Sequence, residues 1–308
     1  MRIVVVGASG FVGSHAATEF ERQGHEVTRV RAPRLTGESV TADVTRELAG
    51  VLGGHDVVVN CAGDPDASSA DEVRLHWANA VLPGLVGEAA HLAGVERFVH
   101  VSSAVVQGRR PVLDSSDHLD AFSPYARSKA DGERSATSTG PRHTTVYRPP
   151  SVHAASRRIT RQLARIATTP AATVAAPGDR PSPQTHIRDV ASALVFLATS
   201  PTPPPAVVHH PWQGHTTAGL LRALGDGREP TQVPRLAVTL VIAVAHLAAR
   251  LVPRLAPHAR RVEMIWLGQE QARSWLDDQG WTPETTEADW RSLGRQAREH
   301  TIHNEGRS

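Results

Sequence analysis

The sequence predicts a doubly wound, parallel α/β sheet followed by a smaller, mostly helical C-terminal lobe. Short apolar, β-branched runs alternate with helix-like segments through the first half of the chain, as parallel βαβ units require. A glycine-rich turn joins the first run to the first helix. Polar residues follow several of the apolar runs, at the edge where sheets of this kind carry their sites.

The first strand, the glycine turn and the first helix open the chain. Residues 2–6 are typical of a strand buried on both faces, and residues 14–23 predict a helix that ends at Gly24. The turn between them spaces three glycines as GxxGxxG, so backbone amides and a helix N-terminus can face a pyrophosphate. We therefore expect a dinucleotide cofactor here, bound by Gly7, Ser9, Gly10, Phe11, Val12 and Gly13.

The second strand, residues 26–30, ends among arginines and lacks the carboxylate that usually holds the ribose of NAD. Arg29 and Arg31, with Arg34 just beyond, offer cations to a ribose 2′-phosphate. NADP(H) is therefore favoured over NAD(H), with merely solvated arginines as the alternative.

Three further strands are expected: one ends at Asp43, one lies in the run 56–63 and enters a loop, and one covers residues 97–103. Helices over residues 46–53 and 71–93 separate them. The predicted division places residues 1–150 and a return segment at 185–208 in the cofactor domain. Residues 151–184 and 209–308 then form a substrate-binding lobe.

The apolar segment 236–252 is too short to span a bilayer, because His246 and Arg250 interrupt it. A buried or dimer-forming helix is expected, with a wall of the substrate site as the alternative. The histidines of residues 209–215 lack a carboxylate partner and helical spacing, so no metal is expected.

Composition restricts the possible partners and compartment. The 308 residues carry a formal net charge of +2, and their arginines are scattered, which argues against a nucleic-acid partner. The single cysteine, Cys61, excludes an internal disulfide and a cysteine zinc site. Because the chain runs directly into a strand, no signal peptide is expected. We expect a cytoplasmic protein, and a homodimer is possible.

The stretch from Ser123 to Lys129 points to catalysis. The chain has 33 basic residues, and Lys129 is the single lysine among them. It lies four residues after Tyr125, so a helix sets both side chains on one face. A compact ammonium there is expected to lower the pKa of the phenol below its usual value of about 10 and make Tyr125 a general acid or base.

These motifs together resemble the extended short-chain dehydrogenase/reductases, which include the NAD-dependent epimerases and dehydratases. The resemblance rests on the GxxGxxG turn, the serine pair before a loop and Tyr125-x-x-x-Lys129. It extends to Asn79 and to the segments Tyr147-Arg148-Pro149-Pro150-Ser151-Val152, His186-Ile187-Arg188-Asp189-Val190-Ala191 and Gly280-Trp281-Thr282-Pro283.

The resemblance implies a Rossmann fold and a set of roles. Ser103 polarises the substrate, with Ser102 as its rival, Tyr125 moves the proton, and Lys129 tunes Tyr125 and holds the nicotinamide ribose. Beyond the glycine turn and the arginines, the implied cofactor contacts are Asp43, Val44, Ala62, Asn79, Lys129 and Arg148.

Departures from the family pattern narrow the reaction. Ala104 and Val105 follow Ser103 where the dehydratases carry Asp-Glu, so elimination of water is disfavoured. Ser182 stands where nucleotide-sugar enzymes commonly carry a phosphate-binding arginine, although Arg180 and the arginines at 157, 158 and 161 are near in sequence.

Three functions fit these residues. The first is an NADP(H)-dependent ketoreductase acting on a small-molecule ketone, such as a keto-sugar or a secondary-metabolite ketone. The second is a nucleotide-sugar epimerase that retains NAD, and the third is a cofactor-sensing regulator without turnover. The arginines after strand two favour the reductase, and the intact Ser-Tyr-Lys set argues against the regulator.

Overall fold

The computed structural model describes residues 1–33, 35, 41–252 and 255–305. Its centre is a six-stranded, entirely parallel sheet in the order β2-β1-β3-β4-β6-β10. These strands are β1 (Arg2–Val6), β2 (Glu26–Val30), β3 (Val57–Asn60), β4 (Arg97–Val101), β6 (His143–Arg148) and β10 (Val207–His209). The strand order reverses between β1 and β3, which places a crevice at the carboxyl ends of these strands.

Helices cover both faces of the sheet, as the βαβ alternation predicts. They are α1 (Phe11–Arg22), α2 (Thr41–Leu52), α3 (Glu72–His76), α4 (Leu82–Leu92), α5 (Pro124–Thr139) and α7 (Ile187–Thr199). Successive side chains of a strand point to opposite faces. Accordingly, Ile3 and Val5 pack with α1 and α7, whereas Val4 and Val6 pack with α2 and α4. The predicted doubly wound α/β fold is confirmed.

The predicted third strand ending at Asp43 is wrong within the described residues. Residues 41–52 form α2, and Asp43 lies in its first turn. Val44, Leu48 and Leu52 recur at every fourth position and are buried against the sheet. This helical periodicity outweighs the local β-propensity of the Val and Thr residues.

The remaining elements form a smaller lobe and its connections. The helices are α6 (Arg158–Ile166), α8 (Thr217–Leu224), α9 (Arg235–Leu251), α10 (Ala256–Leu267), α11 (Trp275–Asp278) and α12 (Glu287–Glu305). Short parallel pairs join β5 (Val112–Leu113) to β12 (Glu270–Gln271), β7 (Ser151–His153) to β9 (Gln184–His186), and β8 (Thr173–Ala175) to β11 (Thr231–Val233). The exact division into two domains stays a prediction.

Helix α9 is buried on one side only, so a fully buried helix is wrong, and the alternative of a dimer-forming helix stays a prediction. Val238, Ile242 and Ala249 are buried against the lobe, but Leu236 is 87% exposed and Leu251 is 80% exposed. Across the described ranges, no helix has both the length and the apolar character needed to cross a membrane.

Candidate active site

The glycine turn after β1 packs closely against the loop after β3 and leads into an uncapped helix N-terminus. Gly7 has φ +80°, and a Cβ atom there would lie 2.7 Å from the backbone nitrogen of Ala62. Gly10 caps α1 without a side-chain hydrogen bond, and the first turn of α1 has no acidic residue. Because the first amides of a helix have no partner within it, this end can hold a pyrophosphate. The residues present therefore fit a dinucleotide.

A pocket at the carboxyl edge of the sheet brings the turn and the predicted catalytic residues together. Gly10, Phe11 and Val12 line it from the turn. Ser103, Tyr125 and Lys129 line it from the segments after β4 and from α5. Val12 and Tyr125, which are 113 positions apart in the chain, thus meet at one site because parallel strands end at the same edge.

The two serines after β4 have different partners. Ser102 is buried and donates a hydrogen bond to Glu133. Ser103 is half-buried, caps the 3₁₀ turn Ala104–Gln107, and accepts a hydrogen bond from the Val105 amide at 3.3 Å. The Ser103 hydroxyl hydrogen is therefore left to point at a ligand, whereas that of Ser102 is already used.

Asn79 lies in a π-helical turn, Trp77–Val81, that joins α3 to α4 and that the sequence did not reveal. Its buried amide exchanges hydrogen bonds with the backbone of Asp64 at 2.9 and 3.2 Å and also donates to Ser128 of α5. A Cβ on Gly63 would lie 2.7 Å from Asn79 Oδ1 and 3.2 Å from Lys129 Nζ. Asn79 thus fixes the loop beside Lys129, and π turns of this kind are frequent at functional sites.

The predicted lowering of the Tyr125 pKa is wrong for this structure. Burial raises the pKa of the Tyr125 phenol to about 12, against the opposing effect of the Arg157 guanidinium. Burial also lowers the pKa of Lys129 to about 8, although Glu133 favours its charged form. Desolvation of both groups outweighs the attraction that the spacing of four residues suggested.

Arg148 does not reach the pocket, contrary to the prediction that it binds cofactor. Its side chain is 1% exposed and forms two hydrogen bonds, of 2.9 and 2.6 Å, with the carboxylate of Glu133. It also donates to the carbonyl of Ser116. Lys129, Glu133, Arg148 and Ser102 make up a buried polar layer, in which Lys129 and Ser102 line the pocket and Glu133 and Arg148 lie beneath it. Sequence reasoning missed Glu133, which lies one helical turn after Lys129.

The other predicted cofactor contacts lie outside the pocket lining. Arg29 points toward α1, where it pairs with Glu21 and donates to Thr18. Arg31 is exposed just after β2, and Arg34 lies outside the described residues. Three further residues are placed by their packing: Asp43 is exposed beside Arg46, Val44 belongs to the core, and Ala62 is buried against Gly7.

The outer wall of the pocket is basic and comes from the C-terminal lobe. Arg157 lies 4.8 Å from the centre of the Phe11 ring, and Arg261 of α10 lines the same pocket. Burial lowers the pKa of both guanidinium groups, and the neighbouring Arg157 and Arg158 add to the shift at Arg261. This wall of the pocket is therefore formed by α10 and not by segment 236–252, which was the alternative expected from the sequence. Within the described ranges, no cluster of His, Cys, Asp or Glu is arranged to hold a metal.

Comparisons with known proteins agree with this geometry. The model of the NAD-dependent epimerase/dehydratase family matches residues 3–208. The dTDP-4-dehydrorhamnose reductase of Mycobacterium tuberculosis (strain ATCC 25618 / H37Rv) is 27% identical over 216 residues, which are 64% of this chain and 66% of that protein. The matched part thus spans slightly less than two thirds of that relative's length.

Two solved structures share the fold. A dTDP-4-dehydrorhamnose reductase from Bacillus anthracis in complex with NADP has a TM-score of 0.64 and 14% identity, covering 98% of this chain and 99% of its own. A UDP-glucose-4-epimerase from Stenotrophomonas maltophila with bound NAD has a TM-score of 0.67 and 18% identity, covering 99% of both chains. With its fold, its glycine turn and the family match over residues 3–208, this chain belongs to the NAD-dependent epimerase/dehydratase family of extended short-chain dehydrogenase/reductases.

Proposed function

We propose that this protein is an NAD(P)(H)-dependent ketoreductase in which Tyr125 is the general acid. The observation that carries the proposal is the shared pocket, where Ser103, Tyr125 and Lys129 lie with the glycine turn that fits a dinucleotide. When bound, the reduced nicotinamide supplies a hydride to the carbonyl carbon. The residues of this chain supply the proton and the hydrogen bond to the carbonyl oxygen.

The proton reaches the carbonyl oxygen from the Tyr125 hydroxyl. With its pKa raised to about 12, the phenol stays protonated throughout the neutral range, which is the form a reductase needs. Ser103 donates a hydrogen bond to the same oxygen and stabilises the charge that develops there. Lys129 places an ammonium in the pocket lining, which favours the tyrosinate left after proton transfer.

The arginines of the pocket wall indicate which class of substrate the site can bind. Arg157 and Arg261 bring two half-buried cations into a pocket whose lining is otherwise rich in apolar side chains. A ketone that carries an anionic group satisfies both features, because a carboxylate or phosphate forms strong bonds with guanidinium groups. The dTDP-4-dehydrorhamnose named for the Mycobacterium tuberculosis relative is a ketone of this class.

The preferred cofactor is NADP(H), and Arg31 is the residue on which this preference rests. Arg29 is already paired with Glu21, so Arg31 is the better placed of the two for a 2′-phosphate. Replacing Arg31 by Ala is expected to weaken NADPH binding about tenfold, the loss of one charged hydrogen bond, and to leave NADH unchanged. Arg29→Ala is the matched control, with a smaller effect. Equal losses for NADPH and NADH would remove the preference.

The second candidate is an epimerase with tightly bound NAD, which the same hydroxyls and ammonium serve, since it oxidises and then re-reduces one carbon. The epimerase remains a candidate because this chain shares its fold with a UDP-glucose-4-epimerase that has NAD bound. The deciding experiment identifies the nucleotide that survives purification of the full chain. It then follows oxidation of NADPH with dTDP-4-keto sugars and with other anionic ketones.

Net consumption of NADPH by the wild type and its loss in Tyr125→Phe are the expected results. Bound NAD⁺ together with interconversion of sugar epimers, without net consumption of NADPH, would overturn the reductase in favour of the epimerase. If the protein binds a nucleotide but turns over no substrate of either class, the cofactor-sensing regulator would be the remaining candidate.

A further inference from the structure

The exposed face of α9 concentrates apolar side chains that the proposed reaction does not use. Of the fifteen large apolar side chains that the described residues expose, nine lie between Leu236 and Val262. Five of them follow one another along α9 at helical spacing and define the apolar stripe: Leu236, Leu240, Val244, Leu247 and Leu251. Such concentration is unusual for a surface with no partner.

The orientation of the stripe is fixed by the opposite side of the same helix. Val238 and Ile242 pack into a small core with Ala175, Trp266 and Leu267. Because 3.6 residues make one turn, burial of these positions directs the stripe outward. The stripe therefore cannot turn inward without breaking this core.

Charge around the stripe has one sign. From Pro230 to Val262 the sequence contains five arginines and no acidic residue, and two of the five, Arg260 and Arg261, face the pocket and not the stripe. Arg235 and Arg250 are exposed at the two ends of α9. The carboxylates that flank this range are already paired, Glu229 with Arg222 and Glu263 with Arg260 and His246. The stripe thus lies between cations that have no carboxylate of their own helix to bind.

We propose that the apolar stripe of α9 docks on an anionic lipid surface, with the helix lying in the plane of the membrane. Leucine and valine side chains enter the boundary between headgroups and acyl chains, while Arg235 and Arg250 extend to lipid phosphates. The helix attaches to the surface and does not span it.

A second copy of the chain fits the stripe less well. A symmetric dimer places the same patch on both sides of its interface, so the patch must complement itself. Here both sides would bring arginines to the rim without carboxylates, and like charges would face each other across the interface. An anionic lipid layer supplies the missing negative charge and the apolar medium together.

The test measures co-sedimentation of the purified full chain with two kinds of vesicle. One consists of equal parts of phosphatidylglycerol and phosphatidylcholine, and the other of phosphatidylcholine alone. Binding to the anionic vesicles is expected to be at least about tenfold stronger. The double variant Leu240→Asp and Leu247→Asp is expected to weaken it by at least about tenfold. Arg235→Gln with Arg250→Gln should remove the preference for anionic lipid.

The matched control is Leu92→Asp, because Leu92 is 64% exposed, close to the 67% of Leu240, but lies on α4. This control is expected to bind vesicles like the wild type. Failure of the wild type to bind either vesicle would overturn the proposal, as would an equal loss in Leu92→Asp. A dimer in solution that the Leu240→Asp and Leu247→Asp variant separates, without vesicle binding, would assign the stripe to a second copy.

Discussion

The layer beneath the pocket buries charged side chains, whereas the outer face of α9 leaves leucines in contact with solvent. Lys129 is 6% exposed and Arg148 is 1% exposed, while Leu236 and Leu251 are more than three-quarters exposed. The two regions thus depart from the usual distribution of residues in opposite directions.

The difference between them lies in their neighbours. Each buried charge has partners within reach, because Glu133 accepts from both Arg148 and Ser102 and also stabilises charged Lys129. The leucines of α9 have no comparable partner among the described residues. Burial of charge that is internally satisfied indicates a site built within one chain, whereas exposed apolar area indicates a surface completed from outside.

The largest effect is expected from a variant that removes the proposed proton donor and leaves the buried layer intact. Tyr125→Phe removes one hydroxyl and keeps the ring. If Tyr125 is the proton donor, the rate of ketone reduction should fall by about 10²–10⁴-fold, with dinucleotide affinity nearly unchanged. Steady-state kinetics and cofactor titration measure the two quantities separately. A variant that keeps its rate would remove Tyr125 from the mechanism.

The buried layer itself is tested by Glu133→Gln. This change leaves the Arg148 guanidinium inside the protein without its charged partner. Removal of one member of such a pair should lower the free energy of unfolding by about 3–5 kcal/mol. Denaturant unfolding measures the loss.

Asp131→Asn is the control on the same helix, because Asp131 pairs with Arg134 at the surface. An exposed pair of this kind contributes less than about 1 kcal/mol. Similar losses in the two variants would show that burial of Glu133 gives it no special part in stability.

Lys129 links the layer to pH. Its pKa of about 8 means that the ammonium is charged below that pH and neutral above it. If the charge supports proton transfer from Tyr125, the reduction rate should fall as pH rises through about 8. Lys129→Arg should lower the rate and move this loss to higher pH, since a guanidinium stays charged. A pH profile that Lys129→Arg leaves unmoved would assign the titration to another group.

The sheet and the residues at its edge were largely predictable from the sequence. Buried strands such as Val57–Asn60 need β-branched runs, and the glycine turn follows from the sterics at Gly7. The spacing of Tyr125 and Lys129 located both on one helix, and the structure places them in α5 at the pocket. These features depend on local sequence and on the rule that parallel strands end at one edge.

Contacts between distant residues were not predictable in the same way. Arg148 sits in a motif that suggested a cofactor contact, but its environment is decided by Glu133 on another element. The Tyr125 pKa depends on how much water the fold excludes, which spacing does not report. For α9, apolar composition predicted burial, yet composition does not say whether anything lies against a given face.

The smallest effect is expected on α9, where two variants test whether anything covers its exposed face. Ile242 is 5% exposed and Leu240 is 67% exposed, two residues apart on α9. Ile242→Ala should lower the free energy of unfolding by about 2–4 kcal/mol, because it leaves a cavity in a packed core. Leu240→Ala should change it by less than about 0.5 kcal/mol, because this side chain gives up little contact with the rest of the chain. Unfolding measured in dilute solution without lipid compares the two. If Leu240→Ala proved as destabilising as Ile242→Ala, the stripe would already be covered in solution. The expected partner would then be a second copy of the chain and not a membrane.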